Sequence, residues 1–249
     1  MTKNAKSQLK QYLKPKHCQN PFADYLKEIV YGGVDGIITT FAVVSGFAGA
    51  SNSNPTHLGV FTLLLFGFAN LFADGLSMGV GNFLSVRSEQ EIYKKRKLEE
   101  RSEISKNFEM ELSETIGILK QKGFTTEDAE KIAKSYAKNP EFWTEFKVRE
   151  ELELPNVEKE KPFLTALATI ISFITFGLIP LLPYVLIQRV EGTFLISVAS
   201  TIFALFLLGV LRWIITKRNF FLSVFEIVSL GGIAAITAYL VGMLFRNKI

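Results

Sequence analysis

The chain has 249 residues, of which 48% are hydrophobic and 22 are phenylalanine, and its formal net charge is +4. A single cysteine, Cys18, excludes an intrachain disulfide and a thiolate cluster built by one chain. Apolar residues form runs long enough to cross a hydrocarbon core of ~30 Å, which takes about 20 helical residues. Charges concentrate instead at residues 1–28 and 87–161. This segregation excludes an ordinary soluble domain and predicts a polytopic helical membrane protein.

The N-terminal segment, residues 1–28, is rich in lysine and lacks an apolar core. We therefore expect no cleavable signal peptide there. We expect a cytosolic tail whose lysines act as a topology signal or contact anionic lipid headgroups. No basic patch interleaved with aromatic residues and no nucleic-acid motif accompanies the lysines, so nucleic acid is not an expected partner.

Five apolar stretches predict an all-α membrane protein with transmembrane helices at 29–50, 58–86, 163–187, 193–216 and 221–245. Lysine and arginine counts place the N-terminus, the insertion after the second helix and the Lys217-Arg218 pair in the cytosol. The short connections at 51–57 and 188–192 then face the opposite side. The predicted segments are a tail, two transmembrane helices, a cytosolic insertion and three transmembrane helices, with bounds at 1–28, 29–86, 87–161 and 162–249.

The cytosolic insertion between the second and third transmembrane helices is predicted to contain three short helices. It begins as a continuation of the second span, and its leucines and isoleucines recur at helical spacing. Gly123 suits a helix end, and Thr125 with Asp128 resembles a capping box that opens the next helix. The Asn139-Pro140 dipeptide predicts a further break before the last of these helices.

Two aspartates, Asp35 and Asp74, lie within predicted transmembrane helices, where an uncompensated carboxylate costs several kcal/mol. Asn70, Asp74 and Met78 are spaced four residues apart and therefore share one helix face. Oxygen ligands suit hard divalent cations, and a thioether adds a preference for Fe(II) and related ions. The alternative is a buried carboxylate hydrogen-bonded to a neighbouring helix, with Met78 filling a gap in the packing.

Glycines surround Asp35 in the first predicted span, at Gly32, Gly33 and Gly36. They allow another backbone to approach or the helix to unwind, as at ion sites of transporters. The alternative is an interfacial aspartate that reaches water. A second small-residue pattern, Gly75-x-x-x-Gly79, flanks the acidic stripe, and close helix packing there would bring a second copy of the ligands near.

Glutamates of the insertion occur in pairs and near-pairs, and they could build a cation site with several carboxylates. The alternative is an ordinary charged helix surface with lysine–glutamate pairs. The chain has only two histidines and no Glu-x-x-His pair, so a di-iron oxidase is disfavoured. Neither a nucleophilic triad nor a phosphate-binding loop is present, so we expect no enzyme and no ATP-driven pump.

The chain resembles the vacuolar iron transporter family over nearly its whole length past residue 25. The matching stretches are YGGVDGIITTFAVVSG (31–46), LSMGVGNFLSVRSE (76–89), NPEFW (139–143) and FGLIPLLPYVL (176–186). The resemblance implies a five-span homodimer that exports Fe(II), and often Mn(II), from the cytosol in exchange for protons. It implies transported metal, with a further divalent ion in the cytosolic domain, and no prosthetic group.

By this resemblance, Asp35 and Met78 match the intramembrane metal positions of the family. The metal-binding glutamates of its cytosolic domain fall on Glu100, Glu103, Glu111, Glu114 and Glu151. The chain departs from the family at Asn70, where relatives carry a glutamate, and Asp74 follows one turn later. Lys147-Val148 replaces a methionine pair, which removes soft ligands, and Thr40 replaces a proline.

We therefore expect a proton-coupled divalent-metal antiporter in which Asp35, Asp74 and Met78 line the membrane site and Asn70 assists them. The cytosolic glutamates would capture or buffer the incoming ion. The alternative class is a membrane-anchored structural or interaction protein whose acids are buried and paired. A redox metalloenzyme is disfavoured because histidine ligands are missing. The lysine-rich tail and the lack of a targeting signal favour a bacterial plasma membrane over a vacuolar membrane.

Overall fold

The structure is a computed structural model that describes residues 25–50, 57–187, 192–217 and 219–245. Within these ranges the chain forms nine α-helices and no strand, which confirms the predicted all-α class. The helices are α1 (Leu26–Ala50), α2 (His57–Lys106), α3 (Phe108–Gln121), α4 (Thr126–Tyr136), α5 (Pro140–Glu150), α6 (Pro162–Gly177), α7 (Leu182–Leu186), α8 (Thr193–Thr216) and α9 (Phe220–Phe245). Residues 1–24 of the predicted tail and most of the two short connections lie outside the described residues, whereas the last residues of the predicted tail belong to α1, which begins at Leu26.

The chain divides into two compact units. The first, called the membrane unit here, contains the described residues up to Asn82 and from Phe163 onward. The second, called the charged unit, contains Phe83–Pro162.

Four of the described helices are long and apolar enough to cross a membrane, namely α1, α2, α8 and α9. The stretch at 163–187, predicted as one span, forms the 16-residue α6 and the short α7 instead. Prolines explain the break, because Pro180 and Pro183 cannot donate the backbone hydrogen bonds of a continuous helix. Five membrane crossings therefore stay a prediction.

Close backbone contacts hold α1 against α6. A Cβ atom added at Gly32 would lie 2.8 Å from the carbonyl oxygen of Thr169, and one at Gly36 would overlap the backbone of Phe173. The glycines beside Asp35 thus serve helix approach, and α1 continues through them without unwinding. Farther along, Gly49 makes the same kind of contact with α9 at Tyr239.

The Gly75-x-x-x-Gly79 pattern also faces α6. A Cβ atom at Gly75 would lie 3.2 Å from the ring of Phe173, and one at Gly79 would overlap the side chain of Ile170. These glycines therefore pack against a helix of the same chain. The sequence predicted close packing here but did not identify α6 as the neighbour, because spacing along one helix carries no information about its partner.

Two apolar clusters stabilise the membrane unit. Ile37 of α1 packs with Leu205 and Leu208 of α8 and with Ile227 of α9. A second cluster joins the later part of α1 to α2 and the α6–α7 turn through Phe41, Val44, Leu63, Leu181 and Tyr184. Large apolar side chains remain exposed around these clusters, as expected for a surface that contacts lipid.

The charged unit contains the C-terminal part of α2 together with α3, α4 and α5. Thr125 caps α4 by accepting a hydrogen bond from the Asp128 amide, and Asn139 caps α5 by accepting one from the Phe142 amide. Both predicted helix starts are therefore confirmed. One break was missed: Asn107 leaves helical geometry at φ −128°, so that the segment predicted as one helix forms the end of α2 and α3.

An apolar core supports these short helices. Leu119, Ala129, Ala133 and Phe146 bring α3, α4 and α5 together. Trp143 is fully buried beside them, and its indole nitrogen donates a 2.8 Å hydrogen bond to the hydroxyl of Thr115. The buried face of α5 includes a charged residue, Lys147.

Candidate functional site in the membrane unit and a glutamate cluster in the charged unit

The predicted stripe on α2 is present. Asn70, Asp74 and Met78 are all half-buried, whereas the next residues around the helix are either buried, as Gly75 is, or exposed, as Leu76 is. The amide of Asn70 donates a 2.7 Å hydrogen bond to Oδ2 of Asp74. This contact orients the carboxylate without neutralising it, because an amide has no charge.

The two aspartates of the membrane unit belong to one electrostatic site. Asp35 is half-buried on α1, and its carboxyl group interacts electrostatically with that of Asp74 on α2. Among the described residues, neither carboxylate forms an ion pair with a basic side chain. Two like charges near each other in a membrane protein favour binding of a proton or a cation.

Another acid of the membrane unit has the partner that these aspartates lack. Glu226 on α9 accepts a 2.7 Å hydrogen bond from the guanidinium of Arg212 on α8, which makes it half of an ion pair. The contrast separates a structural carboxylate from two carboxylates whose charge the described residues leave uncompensated.

Glu28 was missed by the sequence reasoning, which ended the tail at residue 28. Helix α1 begins at Leu26, so Glu28 lies in its first turn. The residue is only 9% exposed, and its Oε2 atom has no hydrogen-bond partner among the described residues. It precedes Asp35 by seven residues, or about two helical turns, and so lies on the same face of α1. That spacing was the available signal.

In the charged unit, four predicted glutamates converge on the ammonium group of Lys147. Its Nζ atom lies 3.1 Å from Glu100, 2.8 Å from Glu114 and 2.8 Å from Glu151, and it also contacts Glu111. Lys147 is fully buried, and Glu100 and Glu111 are each only 3% exposed. This set is called the Lys147 cluster below.

The fifth predicted ligand, Glu103, is exposed on α2 and is not part of the Lys147 cluster. Within the described parts of the chain, no group of three or more histidine, cysteine or acidic side chains is arranged to hold a metal ion. A metal in the charged unit, predicted from the sequence, therefore stays a prediction.

Opposing effects set the charge of the Lys147 cluster. Burial by itself would lower the pKa of Lys147, but the attraction of the carboxylates of Glu111, Glu114, Glu151 and Glu100 outweighs it and raises that pKa above its usual value. Burial raises the pKa of Glu100, and Lys147 offsets part of this rise. The lysine is consequently held as an ammonium ion at neutral pH.

A second lysine of the charged unit provides a comparison. Lys97 donates a 2.8 Å hydrogen bond to Glu145 and lies 3.6 Å from Glu158. This lysine is partly exposed and has two acidic partners. It therefore forms ion pairs of the kind found on the surface of many helical domains.

The long apolar helices define the class of the chain, which is that of helical integral membrane proteins. The chain belongs to the VIT family, whose model matches residues 26–243. The resemblance predicted from its motifs is thereby confirmed.

Relatives with similar sequences are named as transporters. Vacuolar iron transporter 1 of Arabidopsis thaliana is 32% identical over 92% of this chain and 90% of its own length. Vacuolar iron transporter of Plasmodium falciparum (isolate 3D7) is 33% identical over 91% of this chain and 84% of its own. Vacuolar iron transporter 1 of Oryza sativa subsp. japonica is 30% identical, with coverage of 87% and 83%. These relatives cover most of this chain, and all of them are named as transporters rather than as enzymes.

Proposed function

We propose that this protein carries divalent transition metal, Fe(II) or Mn(II), across a membrane and out of the cytosol in exchange for protons. The observation that carries the proposal is the Asp35–Asp74 pair, whose two interacting carboxylates have no basic partner among the described residues. Relatives named iron transporters support iron as a substrate. We propose a bacterial plasma membrane as the membrane that holds the protein.

Carboxylates without a basic partner couple metal to protons through charge balance. In the absence of metal, the like charges of Asp35 and Asp74 favour uptake of a proton by the pair. A divalent cation supplies the compensating charge itself, so that its arrival releases the proton and its departure permits protonation again. Exchange of metal for protons follows from this alternation, because the aspartate pair binds either the metal ion or a proton to compensate its charge.

The neighbouring groups fit the same role. Asn70 orients Asp74 through its 2.7 Å hydrogen bond, and Met78 supplies a thioether one turn farther along the same face. Carboxylate oxygens with a thioether suit Fe(II) better than Mg(II) or Ca(II), which take oxygen ligands alone. Glu28 is buried, its Oε2 atom has no hydrogen-bond partner among the described residues, and it lies two turns before Asp35, where it offers an earlier point of contact for the ion. We further propose a homodimer as the working unit, on the family resemblance.

The test is metal uptake into proteoliposomes with an imposed pH gradient. A metal-sensitive dye inside the vesicles detects the metal that enters. The purified parent is compared with Asp35→Asn, Asp74→Asn and the double variant. We expect uptake of Fe(II) and Mn(II) by the parent and its loss in the double variant, together with loss of the accompanying proton flux.

A matched control removes another membrane acid together with its partner. Glu226→Gln combined with Arg212→Gln abolishes an ion pair without leaving either charge unpaired, and it is expected to transport like the parent. Full transport by the Asp35→Asn/Asp74→Asn variant would overturn the proposal. Zn(II) and Co(II), added in competition, rank the metals that the site accepts.

A further inference from the structure

Lys147 stands at the point where four carboxylates of the charged unit meet. Glu100 comes from α2, Glu111 and Glu114 come from α3, and Glu151 follows the end of α5, the helix that carries Lys147 itself. We infer that the ammonium group of Lys147 occupies the position of a divalent cation and keeps this glutamate cluster closed to metal. This inference concerns the charged unit alone and does not depend on transport.

The geometry of the cluster admits one cation. Oxygen atoms of Glu114 and Glu151 each lie 2.8 Å from Nζ, and one of Glu100 lies 3.1 Å away. Divalent ions bind carboxylate oxygens at about 2.0–2.6 Å, so a metal held by these same oxygens would need the place that Nζ fills. A covalently attached ammonium also has an advantage over a dissolved ion, because it is always present at the site.

Glu100 indicates that the centre of the cluster suits a cation and that the Lys147 ammonium group does not form hydrogen bonds with all four carboxylates. Its side chain is 3% exposed, and its Oε1 atom has no directed hydrogen bond although it lies 3.1 Å from Nζ. An ammonium group directs three N–H bonds, which is fewer than the four carboxylates around it. A metal ion has no such restriction in direction and could bind all four.

The cluster depends on this lysine for its compensation. None of its four glutamates forms an ion pair with another basic side chain among the described residues. Without Lys147, two buried and two partly exposed carboxylates would face one another with no positive charge. Such a group takes up protons or a divalent cation, and four converging carboxylate oxygens suit Mn(II).

The experiment counts Mn(II) bound to the full-length protein in detergent micelles. Free Mn(II) has a six-line paramagnetic resonance spectrum that weakens on binding, so titration gives the ions bound per chain. All variants carry Asp35→Asn and Asp74→Asn in addition, which keeps the membrane unit out of the count. We expect the Lys147→Met variant to bind one Mn(II) per chain more than its parent. Methionine is chosen because its long unbranched side chain fills a similar space without a charge.

Two further readouts separate this result from a general change in charge. Lys97→Met removes a lysine of the same unit, and it is expected to bind the same number of ions as the parent. Added Mn(II) should raise the melting temperature of Lys147→Met but leave that of the parent and of Lys97→Met unchanged, because ligands stabilise only the state that binds them. An equal gain of bound ions in both lysine variants would overturn the inference.

A measurement on the protein with its lysine intact keeps the inference testable if Lys147→Met fails to fold. Glu114 is 45% exposed, so Glu114→Gln is tolerated at the surface of the unit. If the cluster is closed, this substitution leaves the number of bound Mn(II) ions unchanged. Loss of one bound ion in Glu114→Gln would mean that metal already occupies the cluster, and it would refute the inference while leaving the transport proposal untouched.

Discussion

The side chains of Asn70 and Asp74, one turn apart on α2, are joined by a 2.7 Å hydrogen bond in which the amide donates to the carboxylate. The bond fixes the direction of an acid that has no basic partner among the described residues. It also leaves the other carboxylate oxygen of Asp74 free of that bond. In the proposed metal site, Asn70 would therefore position Asp74, and Asp74 would bind the ion.

Replacement of Asn70 by alanine is expected to weaken metal transport while leaving the protein folded. Hydrogen bonds to charged groups contribute about 1.5–3 kcal/mol, and every 1.4 kcal/mol corresponds to about a tenfold change in affinity. We expect the half-saturating Mn(II) concentration in proteoliposomes to rise by roughly tenfold or more in Asn70→Ala.

Thr62→Ala is the matched control on the same helix. The hydroxyl of Thr62 donates only to the backbone carbonyl of Leu58, 2.9 Å away, and does not touch the acidic stripe. Its half-saturating concentration should equal that of the parent. An unchanged value in Asn70→Ala as well would show that Asp74 needs no positioning, or that it does not bind the ion.

Glu28 is expected to act on entry of the ion. Its carboxylate is buried in the first turn of α1, and no described residue forms a hydrogen bond with Oε2. Glu28→Gln removes the charge and keeps the shape, so uptake should fall at low metal concentration and recover at saturating concentration. The control is Glu109→Gln, an exposed glutamate of the charged unit. Equal slowing at all concentrations would place Glu28 in the transport step and contradict a role in entry.

Much of the helical architecture could be predicted because its signals are local. The four-residue spacing of Asn70, Asp74 and Met78 determines a shared helix face, and the caps at Thr125 and Asn139 depend on residues three positions away. Asn107 is the N-cap residue of α3, but its side chain forms no capping hydrogen bond, so no capping signal marked the break between α2 and α3.

The Lys147 cluster could not be derived from spacing for a different reason. Its members come from three helices and the residue that follows one of them, and only packing of the whole unit brings them together. From the sequence alone, a lysine side chain is expected to be exposed to solvent, because lysine is almost never fully buried unless it is paired. The family resemblance named these four glutamates as metal ligands, which stays a prediction, and it gave no sign that Lys147 lies among them.

Close approach of α1 to α6 predicts a sharp difference between two glycines. A Cβ atom at Gly36 would overlap the backbone of Phe173, which cannot move aside as a flexible side chain can. Gly36→Ala should therefore force the helices apart and lower the stability of the membrane unit by about 1–3 kcal/mol. The measurement is the melting temperature in detergent, followed by loss of helical circular dichroism.

Gly81→Ala is the control for this prediction. Among the described residues, nothing lies within 4 Å of a Cβ atom added at Gly81 on α2, so the substitution meets no described neighbour. Alanine also favours a helix over glycine by about 0.8–1.0 kcal/mol. Its melting temperature should equal or exceed that of the parent. A comparable loss in both variants would show that the α1–α6 contact does not limit stability.

The buried ammonium of Lys147 predicts both a large cost of substitution and a particular pH dependence. Removal of one partner from a buried ion pair costs about 3–5 kcal/mol. Lys147→Gln in metal-free buffer at pH 8 should therefore have a free energy of unfolding lower than that of the parent by about this amount, and it should unfold at a lower denaturant concentration. Fluorescence of Trp143, which is fully buried in the same unit, reports the transition.

The pH dependence follows from the direction of the pKa shift. Because the pKa of Lys147 is raised in the folded protein, its contribution to stability is fully present below the unfolded lysine pKa of about 10.4. It is lost only as the pH rises through the still higher folded value. We expect no loss of parent stability from this group between pH 7 and pH 9. The result that contradicts this prediction is a fall in the parent's free energy of unfolding from pH 7 to pH 9 that equals the difference between parent and Lys147→Gln at pH 8. The lysine would then not be held as an ammonium ion by its four glutamates.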